Sequence, residues 1–201
     1  MKIVDLIPMV AVEALGCPEP TISAAILMAS INLCKESLAW TETSDPIPMQ
    51  VGNRDYEIDV PMGAVMETVL SAYCNGQPLL PFNRPFSPDA SIGAPYHYNM
   101  TTDRLAVSVY PAPASVGSVL IVRAAFTPSL KATTLPDFLD VDVVTSGAKA
   151  RVMAIPGVTW SNPQLAAYYK SVFDAGITQY RIEEHHGRVP GSIRVAPRLF
   201  I

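Results

Sequence analysis

Apolar residues over the first forty positions recur every three or four, the repeat of helices that bury one face. Residues 3–15 predict a short helix with Pro8 limiting its first half, closed by Gly16-Cys17-Pro18. Residues 19–40 predict the clearest helix. Pro20 sits in its first turn, and Ile22, Ile26, Ala29, Leu33 and Trp40 fall at helical spacing before Asp45-Pro46 breaks the pattern. From residue 47 to 128 prolines and glycines become frequent and the apolar period shortens toward two. Tyr56, Ile58 and Val60 alternate with Glu57 and Asp59. Residues 65–73 predict a strand, and Asn75-Gly76 supplies a hairpin turn. Tyr96, Tyr98 and Met100 alternate again, the 102–104 turn leads into a strand over 105–110, and a second turn over 111–117 leads into another over 118–126.

Residues 128–135 read as a linker. A helix follows over 136–155, with Asp137 favouring its positive N-terminal end. Pro156-Gly157 stops it, Ser161 or Asn162 caps the next helix, and Pro163 occupies its first turn. That last helix, over 162–185, is expected to bury Leu165, Tyr169, Val172, Phe173 and Tyr180. The fold class expected is α+β: an α-helical bundle of about four helices with a β-sandwich-like insertion between the second and third, and an extended C-terminal tail. The organisation expected is a helical bundle domain from residues 1–45 and 129–186, a β-rich insertion over 46–128 and the tail over 187–201.

Composition sharpens this picture. Only 16% of the 201 residues are charged, against roughly 25% in an ordinary soluble protein. No run of eighteen apolar residues marks a membrane span, so coverage by other subunits is the simplest account of the low charge. The net charge of −4 offers no basic field for nucleic acid. The three cysteines, Cys17, Cys34 and Cys74, form no CxxC and read as free, mostly buried thiols. Ala14-Leu15-Gly16-Cys17 looks superficially like a lipoprotein cleavage site, but Asp5 and Glu13 interrupt the apolar core a signal peptide needs.

The search for chemistry comes back empty. His97 lies in a strand pattern with no neighbouring carboxylate, and the adjacent pair His185-His186 points about 100° apart on a helix, a poor chelate. Asp137, Asp140 and Asp142 lack the order of a calcium loop and read as compensation for a helix dipole. Glu57, Asp59 and Glu67 are closely spaced acids of the β-rich block, with Glu57 and Asp59 alternating onto one face toward solvent. No nucleotide-binding or serine-hydrolase motif occurs. No catalytic, metal-binding or cofactor-binding residue and no cofactor is therefore expected, and the chain reads as an assembly protein and not an enzyme. The tyrosines at 56, 73, 96, 98 and 110 suit core packing or a subunit interface better than a stacking platform, since no lysine or arginine alternates with them within the strands.

The tail has the least structural reason to be apolar. After Glu184 there is no acid, while Arg188, Arg194 and Arg198 remain, interleaved with Ile193, Val195, Leu199, Phe200 and Ile201. Such a terminus is expected to dock onto something, and the alternation of Ile193, Arg194 and Val195 suits addition to a sheet edge. Its own subunit is the alternative seat.

Seven segments in order carry a resemblance that spans nearly the whole chain: DLIPMVAVEALGCPEPTISAAILMA (5–29), YEIDVPMGAVMETVLSAYCNGQPLLP (56–81), LAVSVYPAP (105–113), RAAFTPS (123–129), TTLPDFL (133–139), AIPGVTWSNPQLAAYYKSVFDAGI (154–177) and RVAPRLF (194–200). The chain resembles the head-to-tail adaptors, or connectors, of tailed bacteriophages. The resemblance implies a structural virion protein made in the bacterial cytoplasm. It forms a homo-oligomeric ring of about twelve copies in the neck between the portal protein and the tail tube or nozzle. Double-stranded DNA passes through the lumen without sequence-specific binding, and no membrane is involved. The tail residues Arg188, Ile193, Arg194, Val195, Arg198, Leu199, Phe200 and Ile201 would then meet the portal or a neighbouring subunit. The loop residues Asn83, Arg84 and Phe86 would face the tail. Two other readings stand beside it: a different neck or tail-completion protein, and a β-sandwich module that binds glycans or protein.

Overall fold

In the computed structural model, which describes residues 1–82 and 91–186, four helices frame a β region inserted between the second and third. α1 is Ile3–Ala11 and α2 is Glu19–Ser37. α3 is Val141–Met153 and α4 is Pro163–His186. The strands between them are β1 Thr41–Thr43, β2 Ile47–Pro48, β3 Asp55–Glu57, β4 Ala64–Cys74, β5 Gln77–Pro78, β6 Leu80–Pro81, β7 Ile92–Gly93, β8 His97–Met100, β9 Ala106–Tyr110, β10 Ala112–Pro113 and β11 Val119–Pro128. The fold is mixed α+β, as the sequence predicts.

Three helix boundaries differ from the expected ones by more than two residues, each for a local reason. α1 ends at Ala11, four residues short of Leu15, although Ala14 still lies buried in the helical core. α2 stops at Ser37, short of Trp40. Leu38 takes the left-handed conformation with φ 55°, its N–H bonding Cys34 O at 2.9 Å, and turns the chain toward the sheet. The Ser37 hydroxyl also bonds back to Leu33 O at 2.5 Å. α3 starts at Val141 and not at Pro136, because Asp140 is its cap: the carboxylate accepts from the N–H groups of Asp142 at 2.7 Å and Val143 at 3.2 Å. Asp137, outside the helix, pairs with the N-terminal ammonium of Met1. Asn162 caps α4 by accepting from Leu165 N–H at 3.1 Å.

The helical core joins Ile3, Leu6 and Val10 of α1 to Ile22, Ile26, Ala29 and Leu33 of α2, Val144 and Ala148 of α3, and Phe173 and Ile177 of α4. Two glycines bring α3 and α4 close. A Cβ on Gly147 would stand 2.7 Å from the Phe173 ring and 3.0 Å from Ala29 Cβ, and one on Gly176 would stand 2.5 Å from Val143. No side chain fits at either contact without moving a helix.

The β region is built from two larger sheets and a small parallel pair, β10 with β7. One has the order β1-β11-β4-β5, with β2 also on β11; the other has the order β3-β9-β8-β6. β4 and β11 pair antiparallel from Leu120↔Cys74 to Pro128↔Ala64, with register shifts at Arg123/Ala124 and Ala125/Phe126 that bend the strands. Met66, Leu120, Val122 and Phe126 of the first sheet meet Tyr56, Tyr98, Val107 and Val109 of the second in one buried cluster, a sandwich-like core. Asn75 and Gly76 both take positive φ, 49° and 78°, as a tight hairpin turn requires. β1 lies before residue 46, where the insertion is expected to begin, and β10 lies inside the stretch expected to be only a turn.

Trp40 joins the two cores. Its ring packs on Phe126 of the sheet, with centroids 6.2 Å apart, and on Phe138 of the linker, with centroids 6.4 Å apart. Its carbonyl accepts from Phe126 N–H at 2.8 Å. Glu67 of β4 adds a second tie through Lys35 of α2 at 3.2 Å and Arg104 at 3.0 Å.

Candidate functional site

The polar clusters among the described residues are tied to partners within the fold. Glu13, just past α1, accepts from Lys149 Nζ of α3 at 2.6 Å and from the Tyr169 hydroxyl of α4. The Lys149 ammonium also lies 5.0 Å from the centre of the Tyr169 ring. The hydrogen bonds from Lys149 and then Tyr169 hold the Glu13 carboxyl below its ordinary value of 4.5, with burial opposing them. The bond to Glu13 and then burial push the Tyr169 hydroxyl up to about 12. A tyrosine held protonated and a carboxylate already satisfied make a three-helix staple, not a nucleophile and its base.

The sign of both shifts sets a pH window. A carboxyl lowered in the folded state contributes stability above its unfolded value, lost as pH falls through the folded one. A hydroxyl raised in the folded state contributes stability below its unfolded value, lost as pH rises through the folded one. Glu13→Gln is therefore expected to lower thermal stability relative to the parent at pH 7. The gap narrows as pH falls below the ordinary carboxyl value of 4.5 and closes as pH passes through the lower folded value. Melting curves over pH 3–8 check this, and a constant gap would contradict it.

The other candidates resolve similarly. Asp140 caps α3 and Asp137 binds the N-terminal ammonium, so the acidic crowd there is accounted for. No group of three metal-ligating side chains occurs among the described residues. Cys34 and Cys74 are buried and Cys17 half-buried. Burial pushes the Cys34 thiol up to about 12 and raises the other two, which disfavours the thiolate that reactive cysteines need. No helix among the described residues is long and apolar enough to cross a membrane.

What the structure does present is a set of apolar outer faces. α1 and α4 both pack against the α2–α3 pair. Along α4, Leu165, Tyr168, Val172, Ala175, Gln179 and Ile182 follow one another at alternating steps of three and four. Leu165, Tyr168 and Ile182 are exposed at 39%, 58% and 47%. Leu165 therefore faces outward, not into the core as expected, and Val172 is half-buried. This outer row runs beside the inner row of Ala166, Tyr169, Phe173, Ile177 and Tyr180. The alternation is the spacing of a helix–helix seam. Gln164, Ser171 and Thr178 flank it without charge. The Ser171 hydroxyl donates to Tyr168 O at 2.7 Å and the Thr178 hydroxyl to Asp174 O at 2.9 Å, so both are satisfied without water. α1 carries a second such face: Val4, Met9, and then Val12 and Leu15 just past its end, the last two exposed at 72% and 75%.

The tyrosines divide between core and surface. Tyr56 and Tyr98 are buried, while Tyr96 is exposed. Tyr96 lies 4.6 Å from the His97 ring and 6.1 Å from Tyr110, Phe82 stacks on His97 at 5.2 Å, and the Arg54 guanidinium covers Tyr110 at 5.5 Å. His97 is thus one ring in an aromatic row, with Nδ1 3.3 Å from Leu80 O.

The loop residues Asn83, Arg84 and Phe86 and the tail residues Arg188, Ile193, Arg194, Val195, Arg198, Leu199, Phe200 and Ile201 lie outside the described residues, as do the side chains of His185 and His186. The loop departs from Phe82, beside the aromatic row, and returns at Ser91, whose carbonyl accepts from Ala112 N–H at 3.1 Å. The outer faces of α1 and α4 were not anticipated, because each helix also has an inner set of apolar positions that claims the pattern. The three–four alternation of Leu165, Tyr168, Val172 and Ala175 beside the inner row is the signal that marks the second face. No protein-family model matches the chain, and no curated protein matches its sequence.

Proposed function

We propose that this chain is a structural subunit of a bacteriophage neck, a head-to-tail adaptor that closes into a ring of about twelve copies between the portal and the tail tube or nozzle. The observation that carries this reading is the pair of exposed apolar rows on α1 and α4, two different helices of one subunit. A ring needs two unlike, complementary patches per copy, and here the outer row of α4 packs on the outer face of the next copy's α1. The net charge of −4 suits a lumen that double-stranded DNA traverses, because phosphate-neutralising contacts would hold the duplex. The cationic tail serves contact with the portal or a neighbouring subunit, and the loop over residues 83–90 serves contact on the tail side. Native mass spectrometry of the protein, alone and mixed with the portal ring of its phage, tests the reading. A discrete ring, or a portal complex with about one copy per portal subunit, is expected; a monomer that ignores the portal would refute it.

The aromatic row of Tyr96, His97 and Tyr110 favours a second reading, a β-sandwich module that binds glycans or protein. A monomer that binds a glycan through Tyr96 would decide for it.

A further inference from the structure

α4 ends at a groove of about 560 Å³ between its last turn, the linker and the first strand of the sheet. Its walls include Trp40, Glu42, Arg123, Phe138, Glu183 and Glu184. Three carboxylates face one guanidinium there, and that guanidinium is already paired with Glu184. Trp40 and Phe138 give the groove two half-buried rings as an apolar floor. β1, along one side, stands at the end of its sheet's strand order among the described residues. Trp40 O and Ser44 N bond to β11, so by strand alternation the main-chain groups of Thr41 and Thr43 point to the open edge.

The chain continues from this spot. Fifteen residues follow His186, with three arginines, no acid, and Ile193 and Val195 alternating about Arg194. That segment has the charge the groove lacks and the alternation a sheet edge accepts. Gly187 and Pro190-Gly191 are residue types that permit a reversal, and fifteen residues can span up to about 50 Å when extended. We propose that in the free subunit residues 192–200 occupy the groove of their own chain, with the 193–195 stretch along β1 and Arg194 and Arg198 toward Glu42 and Glu183. Tethering favours the subunit's own tail over a neighbour's, since a short linker presents it at an effective concentration of order millimolar. This inference rests on the groove and the segment's composition and does not depend on the adaptor reading.

The test uses the full chain carrying Thr41→Cys and Ser192→Cys, with Cys17→Ser to remove the half-buried thiol, treated with a short bis-maleimide. The expected result is an intrachain link at monomer mass, mapped by peptide mass spectrometry. Adding Arg194→Glu and Arg198→Glu, changes confined to the tail, is expected to slow linking at least tenfold, and 0.5 M salt should slow it too. Links between chains, or none, would overturn the proposal. A linking rate that ignores both the charge reversal and salt would overturn the assigned electrostatics.

Discussion

Trp40→Ala is expected to lower stability by about 3 kcal/mol, the lower end of the roughly 3–5 kcal/mol typical of tryptophan truncation in a core, because the ring is only half-buried. The more telling outcome is a change in cooperativity. The helical and β cores are separate clusters of buried residues, and Trp40 is among the few side chains packed against both. The indole fills the space between Phe126 and Phe138. Removing it leaves the Phe126–Trp40 backbone bond and the ion pairs of Glu67 with Lys35 and of Arg123 with Glu184, and exposed ion pairs of that kind contribute only about 0–1 kcal/mol each. Calorimetry is therefore expected to show one transition for the parent and two for the variant. A single transition with a loss under about 1 kcal/mol would deny Trp40 this joining role.

Tyr168→Glu combined with Val172→Glu is expected to abolish ring formation while leaving the subunit folded. Tyr168 is 58% exposed, with its ring 5.3 Å from that of the neighbouring Tyr169, so its replacement costs the monomer little, about 0.5 kcal/mol or less. In a ring the same change places two carboxylates in a dehydrated helix–helix seam, where a central aromatic anchor is commonly worth about 2 kcal/mol or more per interface. Every interface of a closed ring carries the loss, so assembly fails as a whole. Sedimentation velocity on the variant should give a monomer whose circular dichroism matches the parent. A variant that still forms rings would place the interface elsewhere and leave the outer row of α4 without a partner.

Much of this fold was legible in the chain because its signals are local. Proline and glycine at 156–157, and Asn162 followed by Pro163, punctuate a helical hairpin through backbone conformation alone. Asn75-Gly76 does the same for a β-hairpin, and the change from a helical to a twofold apolar period marks the inserted β region. The helix ends that differ were decided by contacts distant in sequence. Asp137 is held by the N-terminal ammonium 136 residues away, which leaves Asp140 to cap α3. Leu38 takes its left-handed turn where Trp40 is drawn onto Phe126.

The surfaces were less legible than the elements. A helix with two neighbouring apolar rows does not announce which one faces its own core, and Leu165, expected inside, faces outward. The pairing of Glu13 with Lys149 and Tyr169 across three helices leaves no spacing rule in the sequence. The chain by itself determined the order and type of its elements and the lack of any recognised catalytic motif, because propensity, capping and turn chemistry act over a few residues. Only the tertiary structure decided which apolar rows are buried, where the two cores meet at Trp40, and that α4 ends at an acidic groove, because each depends on elements brought together from opposite ends of the chain.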